Sequence, residues 1–329
     1  MKILITGGAG FLGARLARTL LARGTLAGRR IEQLVLADLF PPPADLAADT
    51  RVQARTGPLL DVVSALKDER VDGVFHLASA VSAECEADFD LGLRSNLDST
   101  RALLDALRAA GNAPRLVFAS SVAVFGSDPA LPLPAVVRDD TLPTPQSSYG
   151  IHKFVCEQLV ADYTRKGYID GRSARLMTVS VRPGRPNGAA SGFLSGVIRE
   201  PLAGLDAVVP VALETQVALS SPATTIDGLI AVYEADREAF GGRTALNLPA
   251  LTVSVQQMLD TLAEVGGPEA RARVRLQPDA AVQRMVGGWP ARFESARAQR
   301  LGLRADADFR SIVLQYLQDQ APAAAPAAR

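Results

Sequence analysis

Cysteine and histidine are nearly absent from this chain, with only Cys85, Cys156, His76 and His152 among 329 residues. Without a C-x-x-C pair or a histidine cluster, neither a disulfide framework nor a zinc site is expected. Excess charge is missing too: 35 basic residues balance 35 acidic ones, and the electrostatic footprint of a nucleic-acid binder is not there. No apolar run approaches the ~20 residues of a membrane span. Lys2 before an apolar run imitates a signal peptide, but glycines at 7, 8, 10 and 13 would break its helix. The expectation is a folded cytoplasmic protein, 48% hydrophobic, whose partners are small molecules or copies of itself.

What is present begins at residue 1. Lys2-Ile3-Leu4-Ile5-Thr6 is a short β-branched run of the kind that forms a buried strand, and it passes into Gly7-x-x-Gly10-x-x-Gly13 before Leu12, Leu16 and Leu20 open a helical pattern. Each glycine has its own reason. Gly7 allows the sharp turn, Gly10 lets backbone approach a pyrophosphate, and Gly13 lets the helix pack closely on the sheet. Phe11 and Leu12 complete the set, because the helix N-terminus offers N–H groups and a positive dipole end to phosphates. A second strand, Gln33 to Asp38, ends in an acid about 25 residues beyond Gly13, where a carboxylate meets the adenosine ribose. A 2′-phosphate would face that negative charge, so the cofactor is read as NAD rather than NADP.

The following pattern alternates strand and helix. Residues 51 to 57 read as a third strand, 59 to 66 as a helix, and Val71 to His76 as a fourth strand running into Ser79. Strand ends line the ligand crevice of a doubly wound sheet, so Ser79 is placed to touch cofactor or substrate, and His76 reads as a core histidine. A long helix is expected from about Glu86 to Arg108, with Asn96 in its middle turned to a hydrogen-bonding role on the cofactor side. Arg115 to Ser120 is the fifth strand, the proline-rich stretch 128 to 145 a covering loop, Ser147 to about Lys166 a helix, and 172 to 182 the sixth strand. The fold class is α/β, a Rossmann-type doubly wound parallel sheet with a smaller C-terminal substrate-binding region. The NAD-binding domain is set at 1–182, rejoined by about 220–250 through a helix at 222–236 and a strand at 243–248. The substrate region is set at 183–219 and 251–320, with helices at 252–265 and 306–319, and 321–329 is a low-complexity tail expected to be disordered.

Tyr149 and Lys153 lie four apart on a helix, which puts an ammonium beside a phenol and favours the ionised base. Such a pair can take the proton of a carbinol. Ser121, at a strand's carboxyl end, could orient the reacting oxygen; Ser120 competes with it, since neighbours on a strand point oppositely. The run 182–199 gathers Arg182, Arg185 and Arg199 with Asn187 and Ser191. Guanidinium matches carboxylate through a two-pronged hydrogen bond, and the polar groups suit hydroxyls.

Together the glycine turn, HLAS at 76–79, Asn96, SSVAVFG at 120–126, YGIHK at 149–153 and RPG at 182–184 resemble the extended short-chain dehydrogenase/reductase superfamily, in its NAD-dependent epimerase/dehydratase group. The resemblance covers the chain to about residue 319. It implies a catalytic set of Ser121, Tyr149 and Lys153, with the lysine also on the nicotinamide ribose, and a homodimer built through the helix that carries Tyr149. Departures narrow the reaction. Val122 and Ala123 stand where dehydratases of the group carry an acid pair, Phe125 where sugar-nucleotide epimerases usually carry Tyr, and Pro58 where their adenine-binding Asp lies; LSSPATTIDG at 219–228 lacks their His-Val-Asp-Asp run. The runs 180–204 and 288–293 are similar to members that use NAD to oxidise the 2-hydroxyl of a four-carbon sugar acid. A nucleotide-sugar epimerase with tightly bound NAD is the alternative within enzymes. A non-catalytic dinucleotide sensor is the alternative outside them, though a sensor has no use for an intact Ser121, Tyr149 and Lys153.

Overall fold

The computed structural model describes residues 1–66, 69–184 and 190–320. Strand β1 (Lys2–Thr6) is buried along nearly its whole length and leads into helix α1 (Phe11–Arg23), which stops where Gly24 adopts a left-handed conformation. The chain continues through β2 (Gln33–Asp38), β3 (Val52–Thr56), helix α2 (Leu59–Leu66), β4 (Gly73–His76), helix α3 (Ser99–Ala110), β5 (Arg115–Ser121), helix α4 (Ser148–Arg165) and β6 (Asp170–Leu176). Helix α5 (Phe193–Leu202) belongs to the C-terminal region, whereas α6 (Pro222–Glu234) and β7 (Leu246–Asn247) return to the sheet. Every neighbouring pair in that sheet is parallel, in the order β3-β2-β1-β4-β5-β6-β7. The order reverses between β1 and β4, and the ligand crevice of such sheets lies outside the carboxyl ends at that switch.

Apolar side chains bury both faces, as an all-parallel sheet requires. Leu16, Leu20, Ile226 and Leu229 cover one face, and Leu103, Leu104, Leu107, Cys156 and Val160 cover the other. A separate core is built from residues between 181 and 219 and between 251 and 316, around Val197, Leu219, Met258, Leu262 and Ile312.

Two expected elements take a different form. The helix placed over 86–108 is broken into Ser82–Ala87, Phe89–Gly92 and α3, with a π-helical turn at Leu93–Asp98. Asp88 interrupts it by leaving helical geometry and accepting a hydrogen bond from the Leu91 N–H, and the wider π turn turns Asn96 towards the end of β4. The strand placed over 172–182 ends at Leu176. Pairing with β7 stops at Arg175 and pairing with β5 at Leu176, opposite Ser121, so the chain beyond Leu176 has no further neighbour in the main sheet. It crosses into a second sheet, where Thr178–Val179 pairs with Gln216–Ser220, itself antiparallel to Leu251–Ser254. That last strand also displaces the start of the helix placed at 252–265, which runs from Val255 to Ala272 with a kink at Gly267. The tail 321–329 lies outside the described residues.

Candidate active site

The turn after β1 is built as its glycines require. Gly7 has φ +71°, and a Cβ there would lie 2.8 Å from the Ala78 amide nitrogen. A Cβ on Gly13 would overlap the Gly7 carbonyl oxygen, so α1 can lie on the turn only without a side chain at that position. Gly10 differs, being exposed at the N-cap of α1. No side chain caps this end of the helix and its first turn holds no acid, leaving the N–H groups of Phe11, Leu12 and Gly13 outside the helix's own ladder. An anionic pyrophosphate fits that end.

Asp38 sits at the same turn. Its Oδ2 accepts from the Ala9 and Gly10 N–H groups at 3.0 and 3.2 Å, and its Oδ1 accepts from the Phe40 N–H at 3.1 Å. A carboxylate oxygen has two acceptor sites, so one on Oδ1 is left over for a ribose hydroxyl. The acid therefore braces the glycine turn as well as facing the crevice.

At the end of β4 a hydrogen-bonded chain fixes the crevice floor. The Thr100 hydroxyl donates to the Asn96 carbonyl at 2.6 Å, so it must accept from His76 Nε2–H at 2.8 Å. His76 Nδ1 then accepts from the Thr6 hydroxyl at 2.6 Å, and Thr6 in turn accepts from the Ala78 N–H. This is a neutral imidazole serving as a strut. Burial, with some help from the Lys153 charge, pushes its pKa down to about 3. Asn96 uses its amide fully on the neighbouring loop. Its Oδ1 accepts from the Ala80 N–H at 2.7 Å and the Ser79 hydroxyl at 3.0 Å, while its Nδ2 donates to the Ala80 carbonyl and Cys85 Sγ. Asn96 thus shapes the loop bearing Ser79 rather than reaching outward itself.

The two serines at the end of β5 part company. Ser120 is buried and donates to Glu157 Oε1 at 2.5 Å. Ser121 is half-exposed, and its hydroxyl accepts only the Ala123 N–H at 3.1 Å, so its proton is uncommitted among the described residues. Helix α4 begins against this turn. A Cβ on Gly150 would overlap the Ala123 carbonyl oxygen, so the glycine after Tyr149 lets the helix start directly on residues 121–124. Ser147 caps it by accepting from the Gly150 N–H, and Glu86 accepts from the Ser148 N–H at 2.8 Å. Lys153 is buried, donates to the Ala119 carbonyl at 2.9 Å, and holds its ammonium 5.5 Å from the Tyr149 ring centre. Lys153 thus lies beside the Tyr149 ring, and the start of the helix that carries both rests on the turn that follows Ser121.

Of the three arginines, Arg185 lies outside the described residues, as does Asn187. Arg199 is buried and spent internally, donating to the Arg182 carbonyl at 2.7 Å and to Glu200 at 2.5 Å. Arg182 is half-buried, donating from Nε to the Val179 carbonyl and from Nη2 to Ser191 at 3.1 Å; its Nη1 has no partner among the described residues. Burial pulls the Arg182 pKa down, and the nearby Tyr149 opposes that shift. The pair Glu157 and Arg175, both buried behind Ser120, was not singled out as a unit from sequence. Its signals were there: an acid four residues beyond Lys153, and a charge inside the strand RSARL. Among the described residues, no group of three or more His, Cys, Asp or Glu is placed to hold a metal, and no helix is long and apolar enough to cross a membrane.

A Rossmann sheet with this phosphate-binding turn defines a dinucleotide-binding protein, and the family and relatives that follow make it an NAD-dependent oxidoreductase. The chain belongs to the NAD dependent epimerase/dehydratase family, whose model matches residues 3–218. It is 47% identical over 325 residues to D-erythronate dehydrogenase of Cupriavidus necator, covering 97% of this chain and 98% of that one. To the D-erythronate dehydrogenase of Haemophilus influenzae it is 38% identical, over 97% of this chain and 99% of that one. Among solved structures, a nucleoside-diphosphate-sugar epimerase from Agrobacterium tumefaciens superposes with a TM-score of 0.89 at 41% identity, over 97% and 94% of the two chains.

Proposed function

We propose that this enzyme oxidises D-erythronate to 2-dehydro-D-erythronate with NAD. One observation carries the choice of a 2-hydroxy acid: the chain is 47% and 38% identical, over nearly its whole length, to two D-erythronate dehydrogenases, and Arg182, a cation near Tyr149, keeps its Nη1 without a partner among the described residues. In such an acid the reacting hydroxyl and the carboxylate sit on adjacent carbons. A cation beside the base therefore suits this substrate, with the carboxylate on Arg182 and the C2 hydroxyl between Ser121 and Tyr149. Ser121 donates to the substrate oxygen and orients it, the Tyr149 phenolate takes the hydroxyl proton, and Lys153 supports the phenolate by its charge. NAD, held at the turn of Gly7, Gly10 and Gly13, would supply the acceptor for the C2 hydrogen as hydride, which would leave the 2-oxo acid, NADH and a proton.

The test follows NADH appearance with D-erythronate and related four-carbon sugar acids, using NAD and NADP in parallel. Turnover with NAD is expected, and Arg182→Met should raise KM for the acid by about 10- to 100-fold, the worth of a charge-assisted hydrogen bond. Absence of turnover across all these acids overturns the reading. The likeness to a nucleoside-diphosphate-sugar epimerase favours the second reading, in which NAD stays bound and is recycled. Protein that purifies with NAD and interconverts nucleotide sugars would establish that one instead.

A homodimer in the cytoplasm completes the proposal. Ile151 and Val155 project as exposed apolar residues from one side of α4, a surface suited to a second copy. Val155→Asp is expected to halve the molar mass seen by light scattering; an unchanged mass would place the contact elsewhere. Both cysteines are free and buried, in keeping with a reducing compartment.

A further inference from the structure

Glu157 and Arg175 form a buried ion pair that the chemistry above does not use. The fork of Arg175 donates to Glu157 Oε1 from Nε at 2.9 Å and to Oε2 from Nη2 at 2.7 Å. Its remaining nitrogen donates to Asn247 Oδ1 at 3.3 Å, and the guanidinium lies 4.9 Å from the Phe125 ring centre. Glu157 is 2% exposed and Arg175 is 6% exposed. Taking two charges out of water is expensive, and a well-packed apolar pair would hold a helix on a sheet at least as stably. An apolar contact lacks direction, however. It does not fix how far a helix slides or rolls along a strand, whereas hydrogen bonds do.

The bonds here are directed at the catalytic strand. Tyr149, Lys153 and Glu157 stand at successive i+4 steps along one side of α4, and the facing residues of β5 are consecutive. Lys153 holds the Ala119 carbonyl and Glu157 holds the Ser120 hydroxyl, and the next residue, Ser121, leads into the turn at 122–124 on which α4 starts beside Tyr149. Neighbouring side chains of an extended strand point to opposite sides. Holding the Ser120 hydroxyl against α4 therefore keeps the Ser121 hydroxyl off that contact, at the half-exposed carboxyl end of β5.

We propose that Glu157, locked by Arg175, is a positioning residue that acts through Ser120 to set Ser121 against Tyr149. The proposal rests on the dehydrogenase reading for its kinetic consequence alone. Ser120→Ala tests it, because Glu157 stays fully paired with Arg175 and no buried charge is orphaned. With rates normalised to NAD-binding sites, kcat for the sugar acid is expected to fall about 30-fold, since misplacement of about 1 Å at reacting groups costs up to about 100-fold. KM for NAD should hold within about twofold, and the C2-deuterium isotope effect should rise as hydride transfer becomes limiting. A merely structural serine would lower the folded fraction and change none of these per-site quantities. Crystal structures of both proteins with NAD bound give a readout independent of the substrate, with a longer separation between the Ser121 and Tyr149 oxygens expected in the variant. An unchanged separation overturns the proposal, and so does unchanged per-site kcat in an active wild-type enzyme. A wild-type enzyme inactive on every sugar acid overturns the dehydrogenase reading, while the crystallographic comparison still decides the positioning role.

Discussion

Tyr149→Phe is expected to lower kcat for sugar-acid oxidation by about 1,000-fold, within the range assigned to a positioned general base. Only the hydroxyl is removed. The ring that lies 5.5 Å from the Lys153 ammonium remains, and Lys153 keeps its hydrogen bond to the Ala119 carbonyl, so the local fold has no cause to change. NAD affinity, read by fluorescence titration, should stay within about twofold, because the phosphate cradle lies at the other end of the crevice. Loss of turnover with intact cofactor binding distinguishes a missing base from a damaged site. A variant retaining more than about a tenth of the wild-type rate would mean that another group takes the proton.

Gly13→Ala should produce the opposite pairing of effects, with cofactor binding and stability failing together. The added methyl has no room in front of the Gly7 carbonyl oxygen, and Gly7 cannot retreat because it lies against the Ala78 backbone. Overpacking of this kind typically costs up to about 3 kcal/mol, and a shift of α1 moves the N–H groups that meet the pyrophosphate. An affinity loss of about 100-fold and a drop of several degrees in the melting temperature are expected, by titration and thermal unfolding. Gly10→Ala is the control, since its Cβ would meet only the Gly7 oxygen at 3.2 Å on an exposed surface. It should weaken NAD while leaving the melting temperature in place. If both variants melt like the wild type, the packing role of Gly13 is wrong.

Features with local causes were legible in the residues alone. The strands at Lys2–Thr6 and Gln33–Asp38 are apolar runs bounded by turn residues, and they appear with the boundaries their sequences suggest. His76 is the core group expected of it. What escaped was decided by partners distant in sequence. The π turn goes with a hydrogen bond from the Ala80 N–H to Asn96, sixteen positions away. The early end of β6 coincides with the ends of both its neighbours, β5 at Ser121 and β7 at Asn247, the latter about seventy residues later. Ser120 and Ser121 are indistinguishable until Glu157, thirty-seven positions on, is seen to hold the first. Arg199 is the exception, because its partners Glu200 and the Arg182 carbonyl lie close in sequence and only the folded helix shows that it turns to them.

Asp38 carries a consequence for anyone wishing to redesign coenzyme preference. A change to accept a 2′-phosphate starts by exchanging the acid for a neutral or basic side chain. Here the same carboxylate accepts from the backbone at Ala9, Gly10 and Phe40. Removing it leaves three main-chain donors without their acceptor at the moment the turn must receive a new ligand. Preference for one coenzyme is thus locked to the integrity of the loop that binds either, and reversal takes at least two coordinated substitutions: one to welcome the extra phosphate and one to re-anchor the turn.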